Sequence, residues 1–301
     1  MTRRYVPLLL TLSLIWGASY LFIKEAVGDF SPATMMFLRL LVASVLLHAF
    51  LYATGGRAVT AQLRAAWRPG LVLGVINGAL PFTLIAWGEL HVASGVAAVG
   101  NSAVPIFNAG LAVWLLPSER VNGARLAGLL VGLVGVGVLA GLDSSGGDSL
   151  ALVGTLAVLG SSVSYAAAGL FAQKRVARTS GPVLAASSTL FGALVLLPLA
   201  VVSPPTHAPG WKAVASLAAL TVLGTAFAQL VLYRMIRLHG SARTSLVTYL
   251  MPIMALGYGA VLLSEPITEP IVAALGLILA GVAIGSGGLR LTRLRRAVDT
   301  A

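Results

Sequence analysis

Cysteine is absent from this chain of 301 residues, which excludes a disulfide framework, a thiolate metal centre and a cysteine nucleophile. Histidine occurs four times, scattered, too few to build a metal site from imidazoles, so no metal and no cofactor is expected. Charge is also scarce: 10% of residues are Asp, Glu, Lys or Arg, where a soluble domain carries about 25%. Neither H-E-x-x-H nor G-x-S-x-G occurs, and no pair of carboxylates lies inside an apolar run. No catalytic residue is assigned, and an enzyme is not expected.

What remains is apolar. Hydrophobic residues make up 58% of the chain, with 34 Gly and 14 Pro, and the mean hydropathy is +0.94. Membrane helices tolerate Gly and Pro because neighbouring helices satisfy the backbone groups they free. Arg3 and Arg4 precede an apolar run over 6–23 that is too long for a signal-peptide core and ends without a small-residue cleavage site, so it reads as an uncleaved first span. A bilayer core of ~30 Å takes ~20 residues per helix. Turn signals divide the chain accordingly into ten spans at 5–27, 32–54, 69–89, 92–116, 121–142, 150–173, 182–202, 212–235, 241–264 and 270–289. The fold class expected is an all-α integral membrane protein.

Basic residues test this division, because positive charge near span ends marks the cytoplasmic side. With both termini cytoplasmic, Arg3, Arg4, Arg57, Arg64, Arg68, Arg120, Arg125, Lys174, Arg175, Arg178, Arg234, Arg237, Arg243, Arg290, Arg293, Arg295 and Arg296 share one face, 17 of the 20 cations. Only Lys212 falls in an opposite loop, while Lys24 and Arg39 lie within spans. The net charge of +11 is thus explained by topology, with no nucleic-acid partner implied. The expected location is the cytoplasmic (inner) membrane, multi-pass, with the lipid bilayer and a small-molecule substrate as partners and no obligate protein partner.

Two halves resemble each other. Leu21-Phe22-Ile23-Lys24-Glu25-Ala26-Val27 matches Leu170-Phe171-Ala172-Gln173-Lys174-Arg175-Val176 in patches; Val104-Pro105-Ile106 and Leu116-Pro117-Ser118-Glu119 match Met251-Pro252-Ile253 and Leu262-Leu263-Ser264-Glu265. Gly135 and Gly281 stand at the same distance beyond the two glutamates. Five spans per copy is odd, so the second copy, 149–301, enters the membrane inverted relative to the first, 1–148. Inverted repeats exchanging conformations open a central cavity alternately to each side, the architecture of secondary transporters.

Trp16-Gly17 with Lys24 after it, the Ser31-Pro32 turn followed by Arg39, and two Pro-to-Glu stretches that each lead into a Gly-rich last helix resemble the drug/metabolite transporter superfamily, and within it the EamA branch. The resemblance implies a 5+5 helix fold and export of amino acids, other metabolites or drugs through a cavity lined by spans 1, 3, 4, 6, 8 and 9. The second half departs from the first at its cations: Gln173 stands opposite Lys24, and Ser188 or Thr189 opposite Arg39.

Polar side chains in lipid-embedded helices face protein or a water-filled cavity. Asn101 and Asn108, seven residues apart, are predicted to share a helical face, and Thr221, Thr225, Gln229 and Tyr233 to form a polar stripe in span 8. Asn77 and Trp87 in span 3, Trp16 in span 1, Ser161, Ser162, Ser164 and Tyr165 in span 6, and Thr244, Thr248 and Tyr249 in span 9 complete a neutral lining. The alternative use of such groups is helix-to-helix hydrogen bonding, worth ~0.6 kcal/mol on average. Lys24, Glu25 and Arg39 are candidates for gating or for binding a substrate carboxylate. Arg39 lies inside span 2, where a cation costs ~2.5–3.5 kcal/mol at the helix centre, and Glu25 is its nearest acidic partner in sequence. Apart from Glu25 the acids fall at span ends or in loops, so no proton relay is visible. Pro81, Pro105 and Pro252 are placed to bend helices and free carbonyls. The glycines Gly128, Gly132, Gly137 and Gly141 of span 5 and Gly281 and Gly285 of span 10 have the spacing of close helix packing. The function predicted is alternating-access export of small metabolites such as amino acids, with a passive channel or an efflux carrier for amphipathic drugs as the alternatives.

Overall fold

The computed structural model describes residues 5–115, 123–144, 149–175, 179–239, 244 and 246–285, and all regular structure among them is helical. Seven helical runs are long and apolar enough to cross a bilayer: Tyr5–Ala26, Pro32–Gly55, Trp67–Gly88, Ser94–Ala112, Ser149–Ala172, Gly181–Val202 and Trp211–His239. Three shorter apolar helices, Leu126–Gly141, Val247–Leu262 and Glu269–Gly285, accompany them. Polarity runs opposite to that of a water-soluble protein. Val45, Leu130, Val134, Leu199, Val202 and Val261 are exposed, while Ser13, Ser44, Ser161, Ser162, Thr189 and Thr225 are buried. Such a surface is stable in lipid, and the chain is a multi-pass membrane protein.

Helix α1 is Tyr5–Ala26. Helix α2, Pro32–Gly55, begins with Pro in its first turn behind the N-cap Ser31, whose hydroxyl accepts from the Thr34 N–H at 3.3 Å. The loop predicted over 57–68 contains a short helix, α3 (Ala58–Ala65). Its residues are mostly good helix formers, and Val59 is buried below the end of α2. The next crossing consists of α4 (Trp67–Leu73), a π-helical segment at Gly74–Ala79 and α5 (Leu80–Gly88). The predicted span over 92–116 is divided by a turn at Ser102 and Ala103 into α6 (Ser94–Asn101) and α7 (Val104–Leu115). Next come α8 (Gly123–Ser144), α9 (Ser149–Arg175) and α10 (Gly181–Val202). Another crossing repeats the earlier pattern: α11 (Trp211–Thr221), a π-helical segment at Val222–Phe227 and α12 (Ala228–His239). The last two helices are α13 (Val247–Leu262) and α14 (Glu269–Gly285).

The packing has a regular pattern. The π segment of the α4–α5 crossing lies against α10, and that of the α11–α12 crossing lies against α2. Helix α9 packs on α5, α6 and α7; helix α1 packs on α11, α12 and α13. Helix α2 runs along α10, and α8 runs along α14. At the α8–α14 crossing no side chain separates the backbones: a Cβ on Gly281 would stand 2.5 Å from the Gly132 nitrogen and 2.6 Å from the Gly128 oxygen. Gly128 in turn faces Gly281 and Gly285. Gly137 and Gly141 do not share this contact, contrary to what their spacing predicts, since a Cβ on either would meet nothing within 4 Å. They fall on a part of α8 that the partner helix does not touch.

Gly281→Val is therefore expected to destabilise the fold by about 1–3 kcal/mol, the usual cost of overpacking, lowering the unfolding temperature in detergent. Gly137→Ala, in open space, is expected to leave that temperature unchanged or raise it. Equal losses in both variants would contradict the close crossing.

Candidate functional site

The helix departures decide where polar chemistry gathers. A π turn displaces hydrogen bonds and leaves carbonyls needing other donors. In the first π segment, which leads into Pro81 at the second position of α5, the Ile76 carbonyl accepts from Ser164 Oγ of α9 at 2.7 Å. In the second, the Gly224 carbonyl accepts from Trp16 Nε1 of α1 at 3.2 Å. No proline drives this second segment; there the Thr225 hydroxyl donates to Leu220 O at 3.2 Å.

Between these segments lies a buried polar centre. Arg39, only 5% exposed, donates through Nε to Thr225 Oγ1 at 2.8 Å. Its guanidinium lies 3.9 Å from the centre of the Phe82 ring, and one NH group faces Met36 Sδ at 3.7 Å. Phe82 meets Tyr165 edge-on, with ring centres 6.3 Å apart. Asn101 Nδ2 donates to Tyr20 Oη at 2.7 Å, and Ser162 Oγ lies 3.4 Å from Asn101 Oδ1. Tyr20, Tyr165 and Glu89 all lie within electrostatic reach of Arg39. Among the described residues, every hydrogen bond of the Arg39 guanidinium goes to a neutral group. The cation is held by an oxygen, a sulfur and an aromatic face, with no acid in contact.

A second group of contacts ties one end of the bundle together. Lys24, at the end of α1, donates from Nζ to the carbonyls of Glu89 (2.6 Å) and Val92 (2.8 Å), neutralising the C-terminal end of α5. Glu265, beyond α13, accepts from the Ser94 N–H at 2.9 Å, Ser94 Oγ at 2.7 Å and the Gly95 N–H at 3.3 Å, an anion on the N-terminus of α6. The turn from Glu89 to Ser94 is thus clamped between a cation on one side and an anion on the other. Ser264 carries the positive φ of 56° that turns the chain toward this contact, and Gly259 leaves room for it: a Cβ there would stand 2.5 Å from the Glu265 carboxylate and push it from its present place. At the same end, Ser31 and Thr34 hydroxyls each donate to Ser203 O at 2.7 Å. Asp29 accepts from the Gly210 N–H at 2.6 Å with His207 3.5 Å away. The Gly210 N–H, assisted by His207, holds the Asp29 carboxyl below the usual carboxylate range, although exposure makes this contact weak beside the Glu265 clamp.

The structure joins some predicted residues and separates others. Arg39, Asn101, Tyr165 and Thr225 belong to the centre, and Lys24 belongs to the clamped end. Trp16 and Tyr249 pack half-buried against the same core. Asn101 and Asn108 sit on separate helices, yet both face α9, with Asn108 Nδ2 donating to Ala166 O at 3.3 Å. Asn77 is half-buried within the first π segment, and Thr248 half-buried on α13. Trp87 meets His91 with the rings tilted by 59° and their centres 4.7 Å apart. Pro105 occupies the second position of α7 and Pro252 lies inside α13. Two expectations fail. Glu25 is exposed and does not partner Arg39. The predicted stripe of span 8 is broken, because the π segment adds residues to the turn and rotates the helix beyond it: Thr225 reaches Arg39, while Tyr233 lands in a separate cluster with Val183 and Ala186. Gln229 is half-buried, with its Oε1 unpartnered among the described residues.

Three residues of this region, Tyr20, Phe82 and Glu89, escape sequence reasoning. Tyr20 and Phe82 read as ordinary apolar-run residues. Glu89 reads as a span-end acid, but it is fully buried, and both carboxyl oxygens lack a hydrogen-bond partner among the described residues. An acid closing an apolar run with no basic neighbour is the available signal.

Known proteins agree with this architecture. An uncharacterized transporter of Archaeoglobus fulgidus is 26% identical over 282 residues, covering 94% of this chain and 98% of its own. The uncharacterized inner membrane transporter YedA of Escherichia coli K12 is 27% identical over 289 residues, covering 94% of this chain and 91% of its own. A protein crystal structure superposes with a TM-score of 0.66 at 20% identity over 95% of this chain and 98% of that one, a likeness of fold. The profile of the EamA-like transporter family matches residues 3–141 and 152–286. With its helical membrane fold and matches across nearly its whole length, the chain belongs to the EamA-like transporter family.

Proposed function

We propose that this transporter is a secondary carrier of the inner membrane that moves small carboxylate-bearing zwitterions, amino acids first among them, outward by alternating access. In this reading the ten apolar helices form two inverted five-helix halves, with both termini cytoplasmic. The exchange of partners in the packing supports it: what α9 does for the α4–α5 crossing, α1 does for the α11–α12 crossing. The twofold family match supports it as well.

The observation that carries the substrate class is Arg39. A buried guanidinium whose hydrogen bonds go to neutral groups, beside aromatic faces and an amide, suits a single carboxylate on an amphipathic molecule. A multiply charged phosphate calls for more cations than this centre holds. The clamped end, where Glu265 of the second half holds the Ser94 end of α6 in the first and Lys24 braces the same turn from within the first half, is the extracytoplasmic gate in its closed state, and a carrier must break the contacts to Glu265 once per cycle.

Counterflow in proteoliposomes loaded with amino acids, nucleobases or sugar phosphates tests the reading. Saturable exchange of amino acids alone is expected; exchange of sugar phosphates without amino acids refutes the substrate class, and non-saturable leakage of everything indicates a channel. Arg39→Met is expected to raise the KM for exchange by about tenfold to a hundredfold, the worth of a charge-assisted hydrogen bond of ~1.5–3 kcal/mol. An unchanged KM in a folded variant would remove Arg39 from the site.

A further inference from the structure

Glu89 is a residue that neither the fold nor the proposed substrate site explains. Its side chain is 0% exposed, and neither oxygen has a hydrogen-bond partner among the described residues. The charges around it come from every side. Lys24 of α1 is nearest, but its ammonium is committed to the Glu89 and Val92 carbonyls. Glu265, beyond α13, is occupied by donors from Ser94 and Gly95. Arg39 of α2 and Tyr20 of α1 lie toward the centre, and His91 of the same turn has its ring against Trp87. Glu89 therefore lies at the clamped turn, within electrostatic reach of both the clamp and the polar centre.

An ionised carboxylate without a donor is the form that such a place tolerates least, and the neutral acid the form it tolerates best. Burial gives this carboxyl no hydrogen bond in return among the described residues. A buried acid next to a binding site is suited to exchange a proton for a cation, and a zwitterion brings one as its ammonium group.

We propose that Glu89 is a proton-binding site that couples transport to the proton gradient: it holds a proton when the site is empty and surrenders it to water as the substrate ammonium takes its place, while Arg39 takes the substrate carboxylate. The exchange balances, one proton leaving the acid for one ammonium arriving, with no other reactant. The result is proton–zwitterion antiport. The inference rests on the substrate reading above for the identity of the displacing cation, but the proton site stands on Glu89 alone.

The test separates the two. Infrared difference spectra of the purified protein in liposomes are recorded across the neutral pH range, before and after adding a mixture of proteinogenic amino acids. A protonated carboxyl band is expected in the wild type, absent from Glu89→Gln and retained in Glu265→Gln, which controls for disturbance of the clamp. The amino acids are expected to diminish it. In the exchange assay the apparent KM is expected to rise about tenfold for each unit that the pH falls below the titration of Glu89, as for any competing proton, and to become pH-independent in Glu89→Gln. A wild type without the band, or a Glu89→Gln variant that keeps it, overturns the proton site. A band that responds to pH but not to the amino acids overturns the antiport step; absence of amino acid exchange in a wild type that shows the band overturns the substrate reading and leaves the proton site standing.

Discussion

Every backbone polar group inside a membrane must be satisfied by the protein itself, and the arrangement of this molecule depends on how that demand is met where helices are irregular. Continuous helix satisfies itself. The two π segments and the turn between α5 and α6 do not, and at each of them the missing partner comes from a distant part of the chain: Ser164 for Ile76, Trp16 for Gly224, Lys24 for Glu89 and Val92, Glu265 for Ser94 and Gly95. The irregular points are therefore also the points at which remote helices are joined. Contacts made by side chains to freed backbone groups can be exchanged for water or substrate without unfolding a helix, which suits a protein that must open and close.

The same places concentrate charge. Arg39 reaches a threonine hydroxyl of the second π segment, while Phe82, just beyond the first, presents its ring to the guanidinium. Neither contact neutralises the cation, so the centre retains an attraction for anions. Glu89, just past the end of α5, takes the opposite charge once it releases the proton proposed for it. A centre with one unmatched group of each sign is matched to a ligand that carries both signs. The proposed carrier function unites these features with the clamp, whose two ionic groups each cap a helix end rather than pairing with one another.

Much of this is legible in the sequence because lipid imposes coarse rules. The scarcity of charge sets the class, and Gly128, Gly132, Gly281 and Gly285 announce a close crossing that the structure contains. The illegible parts have a common cause. A π segment such as Gly74–Ala79 has the same local composition as α-helix, so its consequences for phase, of the kind that divert Tyr233 beyond the second segment, leave no mark in periodicity. The partner of Arg39 is 186 residues away, and sequence proximity points instead to Glu25, whose side chain faces outward. Glu89 escapes notice because position at a span end is normally a sign of solvent, and only tertiary packing reveals that the turn is buried.

The central claim is that the clamped end opens during transport, and the absence of cysteine makes this directly measurable. Spin labels on cysteines introduced at Leu90 and Ile267, both exposed beside the clamp, report the distance across it by double electron–electron resonance in liposomes. Two distance populations are predicted in the wild-type background, with the longer one enriched when Glu265→Gln removes the anion from the α6 N-terminus. A single distance, unchanged by substrate mixture and by Glu265→Gln, would contradict opening at this end.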